Sequence, residues 1–571
     1  MPSSVRLTPL VASLVFVCAG PAVGQTAAPQ ASGVAPSATL PLRVGVIGQR
    51  DLSLADALSE ALANNPDIAV ARTTVEQAGY GISGALGAFE PQFGLQSSLV
   101  HQVMPIASII GGSASGAVTS NDLLVGPRVS GLSPRFGTSY QASLTTRRQT
   151  TDNAFVQLNP QYPAALAFSV TQPLFRGRKV DQARRQVEVA RRTEALTEAQ
   201  FKQRVMDVAV QVEQAYWDLA FARENLAILT SGLELATRVV EANRRLVDQG
   251  VSAPIDVVEA ESQRTTLRSN VFGAQLALTR AENALKVLLA PDTSAGIWSS
   301  ALAPVTAPKV PAADPLLDSA VKAALGSRPE LQQIGISSEL NRVNTDFFRD
   351  QTKPQVDLVG AYTSNGLAGR TFVSDTGNPL TSSFAPIFDR LNTLSNLQGL
   401  PPIVIDGGGD QQLPPRLVGG LGQSFTNLLR QDFPTVEVGV RIGVPFRNQT
   451  AEANLASAVV EGKRIELQRR QVENAVAADV RNAMQAVASA RATLETAAEA
   501  TRLAEQQYAS EQRKFDAGTS TVFLVLQRQS ALINTRSFRA RAEADLSKSL
   551  AQLNRATGRI LDEHQITVSP R

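Results

Sequence analysis

The chain has 571 residues, of which 5% are aromatic and 18% charged, and its net charge is +3 with both signs interspersed. No block of basic residues marks a nucleic-acid footprint. The scarcity of aromatics beside abundant Ala argues against a string of ordinary globular domains and for long helices packed closely side by side.

The first residues read as an export signal over 1–24. Arg6 supplies the charge, Leu10 to Ala19 the short apolar core, and Ala22-Val23-Gly24 the small residues before a cleavage point. That core is too short to span a bilayer. Cys18, the only cysteine, lies inside it; lipidation there is the minority reading, because Val17 stands where a small residue is wanted. The exported chain then has no thiol for a disulfide, a nucleophile or a thiolate metal site. No later apolar stretch is long enough for a transmembrane helix, so any membrane crossing must be made by strands.

After a Pro- and Ala-rich linker, 25–50, one structural unit is written twice, over 51–290 and 315–561. A second linker, 291–314, separates the copies and a tail, 562–571, ends the chain. Each copy opens on a short helix and an X-Pro-acid-aliphatic step, Asn65-Pro66-Asp67-Ile68 and Arg328-Pro329-Glu330-Leu331. Glu90-Pro91-Gln92-Phe93 then matches Lys353-Pro354-Gln355-Val356, and Gln172-Pro173-Leu174-Phe175-Arg176 matches Val444-Pro445-Phe446-Arg447-Asn448. Arg245 to Ser252 parallels Arg513 to Ser520, each around a Gly. Repeats in this order indicate an internal duplication.

Strands are expected where apolar residues alternate. Phe93, Leu95 and Leu99 begin the set, Leu166, Phe168 and Val170 continue it, and Val356, Leu358 and Tyr362 follow. In the last, Val436, Val438, Val440, Ile442 and Val444 share one face, while Glu437 and Arg441 lie on the other. A soluble sandwich would need a second sheet to cover the Val face; a β-barrel in lipid explains both faces. Two strands per copy give four per chain, too few to close around a lumen, so closure by oligomerisation is expected, with three chains giving about twelve strands. The segment between the first-copy strands, including Arg135 to Gln149, reads as either an extra hairpin or a surface loop. Gly366 to Asp432 reads as a long loop, and its Asp406-Gly407-Gly408-Gly409-Asp410 run as flexible rather than cation-binding.

Between the strands and the Gly turns stand long helices. From about Val180 to Gln249 there is no Pro and one Gly. Val205, Val212, Leu219, Leu226, Leu233, Val240 and Val247 repeat by seven with many Ala companions, the pattern of a coiled coil with close helix approach.

The duplicated Gly turns, the Gln172 to Gly177 approach to the long helix and Phe515-Asp516-Ala517-Gly518-Thr519-Ser520-Thr521 together resemble the TolC family of outer-membrane efflux proteins, over nearly the whole exported chain. The resemblance implies an α+β membrane protein of tandem-duplicated fold, a homotrimer whose 12-stranded β-barrel, four strands per chain, sits in outer-membrane lipid and continues as a periplasmic α-helical barrel. It also implies docking of a periplasmic adaptor, linked to an inner-membrane pump, at the hairpin tips: Gly250, Val251, Ser252, Gly518, Thr519 and Ser520. Ser252 and Thr519 are expected to cap the helices that follow. Acidic residues narrow the entrance in TolC-like members, but Val522 to Gln527 contains none. Leu524 and Gln527 take those places, which points to an apolar constriction. In the first copy Asp256, Glu259 and Glu261 follow the turn, available to pair with Arg244, Arg245 or Arg513. Asp357, Glu437 and Arg441 are expected along the barrel lumen.

The function expected is a passive outer-membrane conduit for small molecules or metals in a tripartite efflux system. The alternatives are the duct of a type I protein exporter and, in another class, a non-transport periplasmic coiled coil. With His101 and His564 as the only histidines, no catalytic constellation, metal cluster or cofactor loop is apparent.

Overall fold

The computed structural model describes residues 43–106, 116–153, 155–250, 252–308, 315–372, 379–403 and 413–569. The fold is that of the unit Gly45–Arg571. The export signal with Cys18, Val251 and the Asp406–Asp410 run lie outside the described residues.

In chain order the elements are β1 (Gly48–Leu52), α1 (Leu54–Asn64), α2 (Pro66–Leu86), β2 (Gln92–Pro105), β3 (Ala117–Leu132), β4 (Ser139–Thr151), β5 (Leu158–Pro173), α3 (Gln182–Asp248), α4 (Pro254–Leu289), β6 (Ser300–Pro304), α5 (Leu317–Ser327), α6 (Pro329–Gln351), β7 (Gln355–Thr371), α7 (Pro379–Leu397), α8 (Leu421–Arg430), β8 (Phe433–Gly443), α9 (Gln449–Asp516), α10 (Val522–Ala556) and α11 (Ile560–Glu563). The order helix, helix, strands, long helix, shorter helix occurs twice.

Each X-Pro step is a helix junction. Asn65 accepts from the amides of Asp67 (2.9 Å) and Ile68 (3.4 Å), with Pro66 starting α2, a position where its missing N–H costs nothing. Arg328 stands at the second junction, buried and paired with Glu330 at 2.8 Å. α3 and α9 have 67 and 68 residues, about 100 Å each at ~1.5 Å per residue. Toward the sheet the neighbours run α2-α3-α6-α9; beyond it α4 and α10 take over and the order is α4-α3-α10-α9. The heptad positions Val205, Val212, Leu219 and Val240 are buried as the repeat predicts.

The segment expected to be a linker after α4 carries β6, which pairs in parallel with β1. Tyr216 of α3, wholly buried, ties this pair to the helices. Its hydroxyl donates to Leu52 O (3.0 Å) and accepts from the amides of Val305 (3.1 Å) and Thr306 (3.0 Å).

The large sheet corrects one expectation. It has six strands, in the order β2-β3-β4-β5-β7-β8 and antiparallel throughout, rather than four. The insertion that includes Arg135 to Gln149 is a full hairpin, β3–β4, between the strands the repeat predicts. The stretch expected to be a loop from Gly366 also shortens: β7 continues to Thr371, and α8 packs back on it. Gly366 lets the α8 backbone approach, since a side chain there would collide with Ser424 O. Ser364 Oγ donates to Leu428 O (2.7 Å) and Asn427 Nδ2 to Leu367 O (2.8 Å).

Candidate functional site

Register fixes which residues share a face of the sheet, because residues directly opposite in an antiparallel pair point the same way. One face carries Leu95 and Leu99 of β2, Val125 and Val129 of β3, Ala142 and Leu144 of β4, Leu166 and Phe168 of β5, Leu358 and Tyr362 of β7, and Val436, Val438, Val440 and Ile442 of β8. Val436 and Val438 are 69% and 76% exposed. The other face carries Gln96 and Ser98, Asp122 and Arg128, Thr145 and Arg147, Ser169 and Thr171, Thr363 and Asn365, and Glu437 and Arg441. A sheet apolar on one side and hydrogen-bonding on the other suits the boundary between acyl chains and an aqueous lumen. Among the described residues no helix is long and apolar enough to cross a membrane.

Asp357 lies on the polar face opposite Arg441, but it is buried. Gln355 Nε2 donates to its Oδ2 at 2.6 Å, while Arg176 donates to Gln355 Oε1. Glu437 and Arg441 are exposed. The approach to α3 is held tightly. Gly177, at φ +82, donates its N–H to Asp350 Oδ2 (2.6 Å), and Arg184 Nη2 donates to Gly177 O (2.6 Å). Asp181 caps α3 by accepting from the Arg184 amide at 2.7 Å.

At the far end of the helices both hairpins turn on a Gly in the left-handed region, Gly250 and Gly518, each at φ +72. Gly250 N–H donates to Val247 O and Gly518 N–H to Phe515 O, both at 2.9 Å, closing the helix carbonyls as such C-terminal turns do. The two tips pack together through Val240, Ala260, Val522 and Leu526. Neither residue expected to cap the following helix does so. Thr519 Oγ1 instead donates back to Lys514 O (3.1 Å), and Thr521 caps α10 by accepting from the Leu524 amide (3.5 Å). In the first hairpin the capping place is Ala253, and Asp256 folds back to accept its N–H at 3.2 Å. Thr521 was legible as a hydroxyl just before an apolar run; Ala253 carries no such signal.

The acids sort differently from one another. Glu261 pairs with Arg244 within its own hairpin, Asp256 is spent on the turn, and Glu259 is exposed. In the second hairpin Leu524 and Gln527 are exposed while Val522, Val525 and Leu526 are buried, and Phe523 is more exposed than Leu524. Glu511 is a residue the motif reading passed over. Ser520 Oγ donates to its carboxylate and Lys514 Nζ stands 3.5 Å away. The Ser520 hydrogen bond holds this carboxyl below its usual range; burial opposes it, and the Lys514 charge adds a lesser lowering.

No curated protein matched the sequence. A family model described as outer membrane efflux protein matches residues 128–290 and 410–559, together more than half of the chain. The chain belongs to the outer membrane efflux protein family. Solved structures agree on the fold. The outer-membrane channel OprN is 16% identical, with 88% of this chain and 89% of that one covered at a TM-score of 0.58. The CmeC outer membrane channel of Campylobacter jejuni is 14% identical, covering 89% and 86%, TM-score 0.58. The outer membrane protein VceC of Vibrio cholerae is 16% identical, covering 88% and 96%, TM-score 0.55. This efflux protein is therefore an outer-membrane channel with a TolC-like fold that extends into the periplasm. The family is one of conduits rather than enzymes, and membership removes the non-transport coiled coil from consideration.

Proposed function

We propose that three copies of this efflux protein assemble into one duct and that the duct is gated at its periplasmic tips. The observation that carries the reading is the sheet: antiparallel throughout, two-faced, and with β2 and β8 each left as an edge within the chain. An uncovered edge in lipid is untenable, so another copy must supply the partner strand. The helical edges fit the same closure. Ile68 and Val75 of α2 are buried against the chain's own helices, while Val70 and Tyr80, on the far side, are exposed; on α9, Val460 and Leu467 are likewise exposed.

The tips, with Gly250, Ser252, Gly518, Thr519 and Ser520, are the free ends of the hairpins and the surface for a periplasmic adaptor coupled to an inner-membrane pump. Ser520 is engaged by Glu511, so it shapes the turn, while the Gly backbone and Ser252 carry the docking contacts. At the constriction, Phe523 and Leu524 present apolar side chains with Gln527 a turn further on, and three copies would form an apolar ring that closes by dewetting. Asp256 and Glu259 contribute charge on the first hairpin. Cargo is a small molecule or metal chosen by the pump.

Planar-bilayer recording tests this. The purified protein should give discrete conductance steps, and Leu524→Ala should raise conductance or leak. Unchanged currents in the variant remove Leu524 from the gate; absence of any conductance from a stable oligomer would overturn the duct.

A further inference from the structure

The inserted hairpin is built as wall rather than as ornament. β3 and β4 have 16 and 13 residues, where a tilted transmembrane strand needs about 9–11. By register, Val125, Val129, Ala142 and Leu144 fall on the apolar face of their neighbours and Leu124, Arg128, Thr145 and Arg147 on the other, with Thr146 and Arg148 joining the apolar face toward the end of β4 away from the 133–138 turn.

The turn joining them, 133–138, is anchored at the base of the sheet. Arg184, which caps the chain reversal at Gly177, also donates from Nη1 to Arg135 O (3.1 Å). Gln172 Nε2 donates to Phe136 O (3.2 Å), and Thr138 Oγ1 donates to Gln172 Oε1. The same Arg184 that fixes the start of α3 thus fixes the hairpin. Phe136 is exposed at the same end of the sheet as Phe175 and Phe446, as in the aromatic girdle where a barrel meets the membrane surface.

Parity supplies a further constraint. Direction alternates along an even number of strands, six, so β8 of one copy meets β2 of the next antiparallel. A hairpin adds strands in a pair and keeps that closure possible; a single added strand would not.

We propose that β3–β4 is a segment of the outer-membrane barrel wall, so that three copies close eighteen strands rather than twelve. The proposal rests on the trimeric duct above and adds the strand count and its consequence. Barrel diameter grows roughly linearly with strand number, giving a lumen about half again as wide as a twelve-stranded one. The wall also brings Asp122, Arg128 and Arg147 to the lumen side. Solute size is then limited at the helical tips and not in the outer membrane.

The test uses the full chain in nanodiscs, with single cysteines at Val125 or Leu144 on one face and Leu124 or Thr145 on the other. Each is labelled with a small fluorophore, and the wild type serves as control for Cys18. Nitroxide-bearing lipid should extinguish fluorescence at Val125 and Leu144 and spare Leu124 and Thr145. A water-soluble nitroxide should do the reverse. Equal response of both faces, or no lipid quenching at either, overturns the wall. Native mass spectrometry of the same samples separates the two claims. A trimer with an unquenched hairpin defeats this inference alone, whereas a stoichiometry other than three defeats the duct it rests on.

Discussion

Glu511 gathers the chemistry of the second hairpin tip in one side chain. It accepts from Ser520 Oγ across the turn and faces Lys514 one helical turn on. Its carboxyl is held below the ordinary value of 4.5, so folding favours the ionised form. Linkage then fixes the sign. The unfolded chain binds the proton more readily, so the contribution of Glu511 is fully present above its unfolded value and is lost as pH falls through the lower, folded one. The tip should therefore loosen in acid below about 4.5 while the rest of the hairpin holds. Hydrogen exchange at the Gly518 to Thr521 amides should speed up relative to the mid-helix amides of α9 as pH drops below that range. Glu511→Gln should flatten the dependence; the same pH response in the variant would assign it to another group.

At the scale of elements, what could be read beforehand is what repetition or periodicity writes down. The seven-residue spacing of Val205, Val212 and Leu219 needs only one helix to be recognised, and the same holds for the Val436 to Ile442 alternation. Gly126, Pro127 and Gly131 interrupt the pattern of β3, so its sequence fits hairpin and loop equally, and only its pairing with β2 and β4 makes it a strand. α8 was invisible for a similar reason: its amphipathic ten residues follow Gly419 and Gly420, which read as loop. β6 offers five residues, Ser-Ala-Leu-Ala-Pro, with no alternation at all; it is a strand because β1 and Tyr216 make it one. That dependence can be measured. Tyr216→Phe keeps the buried ring but removes the hydroxyl: the Val305 amide still donates to Leu52 O at 3.1 Å, whereas the Thr306 amide loses its partner. An unsatisfied buried polar group costs on the order of 1–3 kcal/mol, so chemical denaturation followed at Trp217 or Trp298 should shift by about that amount. A change within error would mean that water replaces the hydroxyl.

The unit Gly45–Arg571 is a palisade with two open sides, and its helical and sheet edges lie on the same two sides. α2 ends one side beneath β2, and α9 ends the other beneath β8. On α9, Leu467 is 64% exposed beside a buried Ile465 that faces inward. Exposed aliphatics in line on an edge helix mark an association surface, since monomers seldom leave such patches bare. If α9 of one copy packs against α2 of the next, burying Leu467 contributes about 1.5–3 kcal/mol at each of the three junctions. Leu467→Glu would lose that contribution and place an unpaired charge against Val70 and Tyr80, a further cost. The variant should fold, because the side chain points away from its own chain's core, yet its oligomer should dissociate at detergent and protein concentrations where the wild type stays intact. Native mass spectrometry reads the ratio of trimer to monomer directly. Neighbouring Glu466, paired with Arg470 on the solvent side, supplies the control: Glu466→Gln should leave the ratio unchanged. Equal stability of the Leu467→Glu oligomer would place the junction on another face of α9.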